Sequence, residues 1–131
     1  MVKVLDASAL LVYLWKEPGY EKVKESLTKA AESQKNLLMT TVNWGEVCYV
    51  LMRENGREDA ERILKLVETF PIEFVEADLA VARQAAVLKA THKLPFADCF
   101  AAALTKLRKG ELVTTDKDFR AVEKEIKIVW V

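Results

Sequence analysis

The chain has 131 residues, of which 51% are hydrophobic, so it can bury a core within one domain without disulfide bonds. Its 20 lysine and arginine residues balance its 20 aspartate and glutamate residues, and zero net charge counts mildly against a nucleic-acid binder. The cysteines Cys48 and Cys99 lack metal-ligand spacing, and no apolar run approaches the roughly 20 residues of a membrane span. We therefore expect a soluble, cytoplasmic protein with one domain over residues 1–131.

Short apolar strands alternate with helices along the first half of the chain. Glycine and proline separate several of these segments, as in Pro18-Gly19 and at Gly56. The pattern predicts strands at residues 2–5 and 37–40, and helices at residues 9–15, 20–33 and 57–69, with another helix that starts at Thr41 or Asn43 and runs to about residue 55.

The same alternation continues through the second half. Pro95 suits the first turn of a helix, and Gly110 closes that helix. We predict strands at residues 72–75, 111–114 and 126–131, and helices at residues 78–91, 95–109 and 118–124. Short, continuously apolar strands with helices between them indicate an α/β fold, in which helices cover both faces of a parallel sheet.

Four acidic residues follow these elements at corresponding places. Asp6 comes directly after the first strand and Asp116 directly after the fourth, while Glu46 lies in the first turns of the helix after the second strand. Asp98 lies in the first turn of the helix that precedes the fourth strand. Because ligands bind beyond the carboxyl ends of parallel strands, we expect these carboxylates to converge at one edge of the sheet.

Each carboxylate also has a purely structural explanation, and spacing alone leaves it open. Asn43-x-x-Glu46 fits a capping box, and Asp98 is favourable at any helix start. Asp6 fits a helix cap, and Asp116 fits a turn. Four converging carboxylates would nevertheless repel one another, and a divalent cation would remove that cost.

The chemistry of this set favours a hard cation. Oxygen ligands without histidine or cysteine select magnesium, manganese or calcium over zinc. Such a metal lowers the pKa of bound water and stabilises charge on a phosphoryl oxygen. The site therefore suits hydrolysis of a phosphodiester by metal-activated water.

Four segments carry a family resemblance in the right order and spacing. They are Val4–Leu11, Thr40–Val47, Leu94–Ala103 and Leu112–Phe119, and together they span nearly the whole chain. These segments resemble the four motifs of PIN domains, especially those of the VapC-type toxins of toxin–antitoxin pairs.

The resemblance implies a single PIN-like domain, with a five-stranded parallel sheet flanked by helices on both faces. It implies an endoribonuclease that depends on one or two magnesium or manganese ions, forms homodimers and is blocked by a cognate antitoxin. On the matching positions, the catalytic and metal-binding residues would be Asp6, Glu46, Asp98 and Asp116, supported by Ser8, Thr115 and Asp118.

Two other functions stay open. The late Thr-Asp-x-Asp stretch suits a haloacid-dehalogenase-like phosphatase with Asp6 as its nucleophile, although Ser8 stands where that chemistry usually places a second aspartate. The zero net charge and an apolar first helix, with Tyr13 and Trp15 as possible exposed anchors, leave room for a non-enzymatic partner-binding module.

Overall fold

Six α-helices, a short 3₁₀ helix and five strands make up the computed structural model, which describes residues Met1 to Val131. No helix combines the length and the apolar character needed to cross a membrane. In chain order the elements are β1 Lys3–Leu5, α1 Ala7–Leu14, α2 Tyr20–Ser33, β2 Leu37–Thr40, α3 Thr41–Asn55, α4 Arg57–Val67, β3 Ile72–Val75, α5 Leu79–Thr91, α6 Phe96–Leu107, β4 Glu111–Thr114, the 3₁₀ helix Lys117–Val122 and β5 Lys127–Trp130.

The five strands form one parallel sheet in the order β3-β2-β1-β4-β5, which confirms the predicted architecture. β1 lies in the centre, where Val4 pairs with Leu38 of β2 and with Leu112 of β4. The chain builds outward from β1 to β3, then crosses back and builds outward on the other side from β4 to β5. The direction of winding therefore reverses between β1 and β4, and a crevice for ligands is expected there.

Successive strand residues face opposite sides of the sheet and enter two separate cores. In β1, Leu5 belongs to the core beneath helices α1 to α4, whereas Val4 belongs to the core beneath α5, α6 and the 3₁₀ helix. Both residues are fully buried. Helices therefore cover both faces of the sheet, as predicted.

A glycine permits the close contact that aligns β1 with β4. A Cβ atom at Gly110 would lie 2.4 Å from the carbonyl oxygen of Val2. That same oxygen accepts a hydrogen bond of 2.8 Å from the backbone amide of Glu111 at the start of β4. The absent side chain thus lets β4 pair closely with β1, which brings together the two strand ends on either side of the crevice.

The helix ends differ from the sequence prediction where side chains or turns set them. α1 begins at Ala7, earlier than predicted, because the Asp6 carboxylate accepts a hydrogen bond from the backbone amide of Ala9. The helix predicted at residues 118–124 is a 3₁₀ helix that starts at Lys117, after Asp116 accepts from the amide of Asp118. Both shifts result from carboxylates at the crevice.

Candidate active site

Asp6 lies at the end of β1 with its carboxylate almost completely enclosed. The residue is 2% exposed. Its Oδ1 accepts from the amide of Ala9 at 2.9 Å, and its Oδ2 accepts from the hydroxyl of Thr114 at 2.6 Å. The hydroxyl of Ser8 lies 2.8 and 2.9 Å from the two oxygens. Burial raises the pKa of Asp6 to about 6, against the opposing effect of these hydrogen bonds, and the nearby Asp116 adds to the rise.

Thr114 connects the ends of the two central strands. Its hydroxyl donates to Asp6 and accepts a hydrogen bond of 2.9 Å from the backbone amide of Asp116. The side chain of Thr114 is fully buried. Thr115, whose hydroxyl the family resemblance places at the site, contributes its backbone amide, which donates to the Ser8 hydroxyl at 3.1 Å. The hydroxyl that holds Asp6 from β4 therefore belongs to Thr114.

Asp98 has the most strongly raised pKa among the carboxyl groups of the site. It lies in the first turn of α6 and is 7% exposed, and its Oδ2 atom is buried without any hydrogen-bond partner. Burial, followed by the charges of Asp116, Asp6 and Glu46, raises the pKa of Asp98 to about 8. A buried carboxylate oxygen without a hydrogen-bond partner costs free energy, and a bound proton or cation would reduce that cost.

Three aspartates come close enough to share one ion. Asp98, Asp116 and Asp118 each present a carboxylate oxygen, and these oxygens all lie within 4.8 Å of one another. Asp116 also starts the 3₁₀ helix, where its Oδ1 accepts from the amide of Asp118 at 2.9 Å. Asp118, expected only as a supporting residue, is thus part of this cluster, whereas Asp6 and Glu46 lie outside it.

Glu46 lies at the border of the site in α3. Burial raises its pKa, the Asn43 amide opposes that rise, and the charge of Asp116 adds to it. The capping-box explanation is wrong for this residue, because α3 begins at Thr41 and is capped by the side chain of Thr40, which accepts from the amide of Asn43. Glu46 is therefore free of a capping role.

The structure brings all four predicted acids to one edge of the sheet. They lie close enough for the charges of the other three to raise the pKa of Asp98. Their roles in catalysis and in metal binding remain predictions. Sequence reasoning gave no role in the site to Asn43, whose buried side chain links α3 to α6. Its position three residues before Glu46 was the only available signal.

The residues present fit a hard divalent cation. The cluster consists of carboxylates only, and the unpartnered Asp98 Oδ2 supplies the uncompensated charge that a cation would balance. Asp98, Asp116 and Asp118 would hold such an ion directly. Asp6 accepts hydrogen bonds from three neighbouring groups, and its part in metal binding stays a prediction.

This enclosure disfavours the phosphatase alternative. A covalent nucleophile needs an open line of approach to the substrate phosphorus. Both oxygens of Asp6 instead accept hydrogen bonds from Ser8, Ala9 and Thr114 within a nearly closed environment.

Fold and site together define a parallel α/β protein with a carboxylate cluster beside the point where its winding reverses. The family model of the PIN domain matches residues 3–125, and the chain therefore belongs to the PIN domain family. No curated protein matches this sequence significantly.

Several solved structures share the fold. VapBC2 from Rickettsia felis, bound to a DNA fragment from its promoter, superposes with a TM-score of 0.82 at 14% identity, covering 100% of this chain and 99% of that one. DNA-bound VapBC from Salmonella typhimurium gives 0.74 at 17% identity, covering 98% and 97% of the two chains. VapC20 from Mycobacterium tuberculosis, a toxin that cleaves the sarcin–ricin loop, gives 0.70 at 15% identity, covering 92% and 94%.

Proposed function

We propose that this PIN-domain protein is a magnesium- or manganese-dependent endoribonuclease and the toxin of a cytoplasmic toxin–antitoxin pair. The observation that carries the proposal is the buried, unpartnered Asp98 oxygen in a cluster with Asp116 and Asp118. The similar folds of VapC20, which cleaves RNA, and of the VapBC complexes support the choice of substrate and partner.

The side chains divide the work by their positions. Asp98, Asp116 and Asp118 would hold the cation, and Asp6 adds negative charge from a carboxylate fixed by Ser8 and Thr114. When bound, the metal lowers the pKa of a water molecule and neutralises charge that develops on the phosphoryl oxygens.

Glu46 is the candidate general base. It lies outside the cluster of three aspartates and is only partly buried, which suits a carboxylate that accepts a proton from the attacking water. Burial raises its pKa, which increases its basicity at neutral pH. The leaving ribose oxygen takes up a proton from solvent.

An apolar groove on the α1–α4 side of the sheet is the candidate antitoxin surface. It lies between α1, α2 and α4 and has a volume of about 470 Å³. Two lysines beside the aromatic side chains suit an apolar segment that carries acidic residues. The lining residues are Tyr13, Leu14, Lys16, Tyr20, Lys24, Leu66 and Phe70. A homodimer is the further assembly that the family resemblance implies.

Cleavage of a labelled RNA tests the enzymatic proposal. We expect the wild-type protein to cut RNA with Mg²⁺ or Mn²⁺ and to lose this activity in EDTA. Asp116→Asn should abolish cleavage, whereas Asp78→Asn, an exposed helix-cap aspartate outside the site, should retain it. All three proteins are purified in parallel to control for contaminating ribonucleases.

Each competing function predicts a different result in this experiment. Equal cleavage by wild type and Asp116→Asn would contradict the assignment of the site. Hydrolysis of a phosphomonoester without action on RNA would favour the phosphatase. A folded wild-type protein that neither binds Mn²⁺ nor cuts RNA would favour a partner-binding module.

A further inference from the structure

Asn43 is a buried polar residue whose hydrogen bonds fix its amide in one orientation. It is 0% exposed. Its Nδ2 donates to the carbonyl oxygen of Ala97 at 3.1 Å, and its Oδ1 faces the hydroxyl of Thr40. A carbonyl can only accept, so the nitrogen must face Ala97 and the oxygen must face the hydroxyl proton.

These contacts join two elements that each carry one acid of the site. Asn43 lies in the first turn of α3, one turn before Glu46, and Ala97 directly precedes Asp98 in the first turn of α6. The bond from Asn43 to Ala97 is the one side-chain hydrogen bond between these two helices. It therefore ties the helix that carries Glu46 to the helix that carries Asp98.

The hydrogen bond from Asn43 to Ala97 opposes electrostatic repulsion between two carboxylates. Glu46 and Asp98 both end in carboxylates, and the starts of the two helices that carry them are joined by the bond from Asn43 to Ala97. Repulsion between carboxylates favours separation of the two helix starts, whereas a cation held by Asp98 and a water molecule deprotonated by Glu46 would require the two side chains to stay close. A buried amide that donates to the residue before Asp98 resists this separation before the ion arrives.

We propose that Asn43 is a positioning residue that holds the start of α6 against α3, and so preorganises Asp98 for a divalent cation and keeps Glu46 beside it. This inference rests on the proposed metal-dependent function. Groups that orient metal ligands from outside the coordination shell commonly change metal affinity by about 10- to 100-fold when they are replaced. We expect an effect of this size.

Two substitutions remove the hydrogen bond between Asn43 and Ala97 in different ways. Asn43→Leu keeps the branching of the side chain at Cγ and removes all of its hydrogen bonds, while Asn43→Ser keeps a small polar group that is too short to reach Ala97. Thr105→Val is the matched control. It removes another fully buried hydrogen bond within α6, from the Thr105 hydroxyl to the carbonyl oxygen of Ala101, nearly two turns beyond Asp98.

Calorimetric titration with MnCl₂, below the unfolding temperature of every variant, separates positioning from simple stability. We expect both Asn43 variants to bind Mn²⁺ about 10- to 100-fold more weakly. Thr105→Val should unfold at a lower temperature but bind Mn²⁺ like wild type. In RNA cleavage, saturating Mn²⁺ should restore much of kcat in the Asn43 variants, while half-maximal activity moves to a higher Mn²⁺ concentration.

The possible failures are distinguishable. If the folded Asn43 variants bind Mn²⁺ as tightly as wild type does, the residue is merely structural and the inference is overturned, while the proposed function stands. If the wild type binds no Mn²⁺ and cuts no RNA, both are overturned. If Asn43→Leu fails to fold, Asn43→Ser alone decides between these results.

Discussion

The raised pKa of Asp98 predicts that this residue lowers the stability of the metal-free protein at neutral pH. Asp98→Asn replaces the carboxylate with a neutral group of the same shape. Its amide can also donate a hydrogen bond, and one Asp98 oxygen lies within 4.8 Å of an oxygen of Asp116. We expect this variant to be more stable than wild type without metal and inactive with it.

The magnitude follows from the pKa of Asp98, which rises from its ordinary value of 3.8 to about 8 in the folded protein. Below pH 3.8 the carboxyl is protonated in both states and costs nothing. Above that pH the unfolded chain ionises first, which stabilises it by about 1.36 kcal/mol per pH unit until the folded carboxyl also ionises. Wild-type stability is therefore lost progressively between about pH 4 and pH 8.

Asparagine does not titrate, so the stability of the variant does not fall between pH 4 and pH 8 for this reason. The stability difference should be about 4 kcal/mol at pH 7 and about 2 kcal/mol at pH 5. For a chain of this size, the larger value corresponds to an increase on the order of 10 °C in the unfolding midpoint. The growth of the difference with pH distinguishes a titrating group from a change in packing.

Thermal unfolding in EDTA, followed by circular dichroism at pH 5 and pH 7, checks the prediction. Asp78→Asn, an exposed cap, is the control and should unfold like wild type at both pH values. If Asp98→Asn unfolds at or below the wild-type temperature at pH 7, or if the difference does not grow with pH, Asp98 does not carry the electrostatic cost described.

Four further results are expected. Mn²⁺ should raise the unfolding midpoint of wild type more at pH 8 than at pH 5, because the cation competes with protons for the same carboxylates. Thr114→Val removes the 2.6 Å donor to Asp6, so it should cost about 1–3 kcal/mol in urea unfolding and move Mn²⁺ binding to higher pH. Gly110→Ala should cost about 1–3 kcal/mol, since its new methyl group would overlap the Val2 carbonyl. Gly45→Ala should instead stabilise the protein by about 0.5–1 kcal/mol, because a Cβ at this helical glycine meets nothing within 4 Å.

The sheet was predictable because its strands are short apolar runs between breaks. The predicted bounds of β2, β3 and β4 match the structure, since each run ends where a turn or helix signal begins. The end of α6 was wrong: the helix stops at Leu107, two residues before the prediction, because a turn intervenes before Gly110. Helical composition continues through that turn, so the sequence pattern gave no sign of the stop.

The edge of the sheet that carries the acids was also predictable, because strand ends determine it. The hydrogen-bond partners of these acids were not predictable, because they depend on side chains from elements distant in the sequence. The choice between the hydroxyls of Thr114 and Thr115 required the pairing of β1 with β4. The link from Asn43 to Ala97 joins residues 54 positions apart, and no local spacing predicts it.

The most direct test of the central claim is to locate the cation. Crystals grown with MnCl₂ and measured at the manganese absorption edge would show bound ions as anomalous density. We predict a peak among the carboxylates of Asp98, Asp116 and Asp118, with no peak at that place in crystals of Asp116→Asn. Fully occupied manganese elsewhere on the protein, with none at this cluster, would contradict the account.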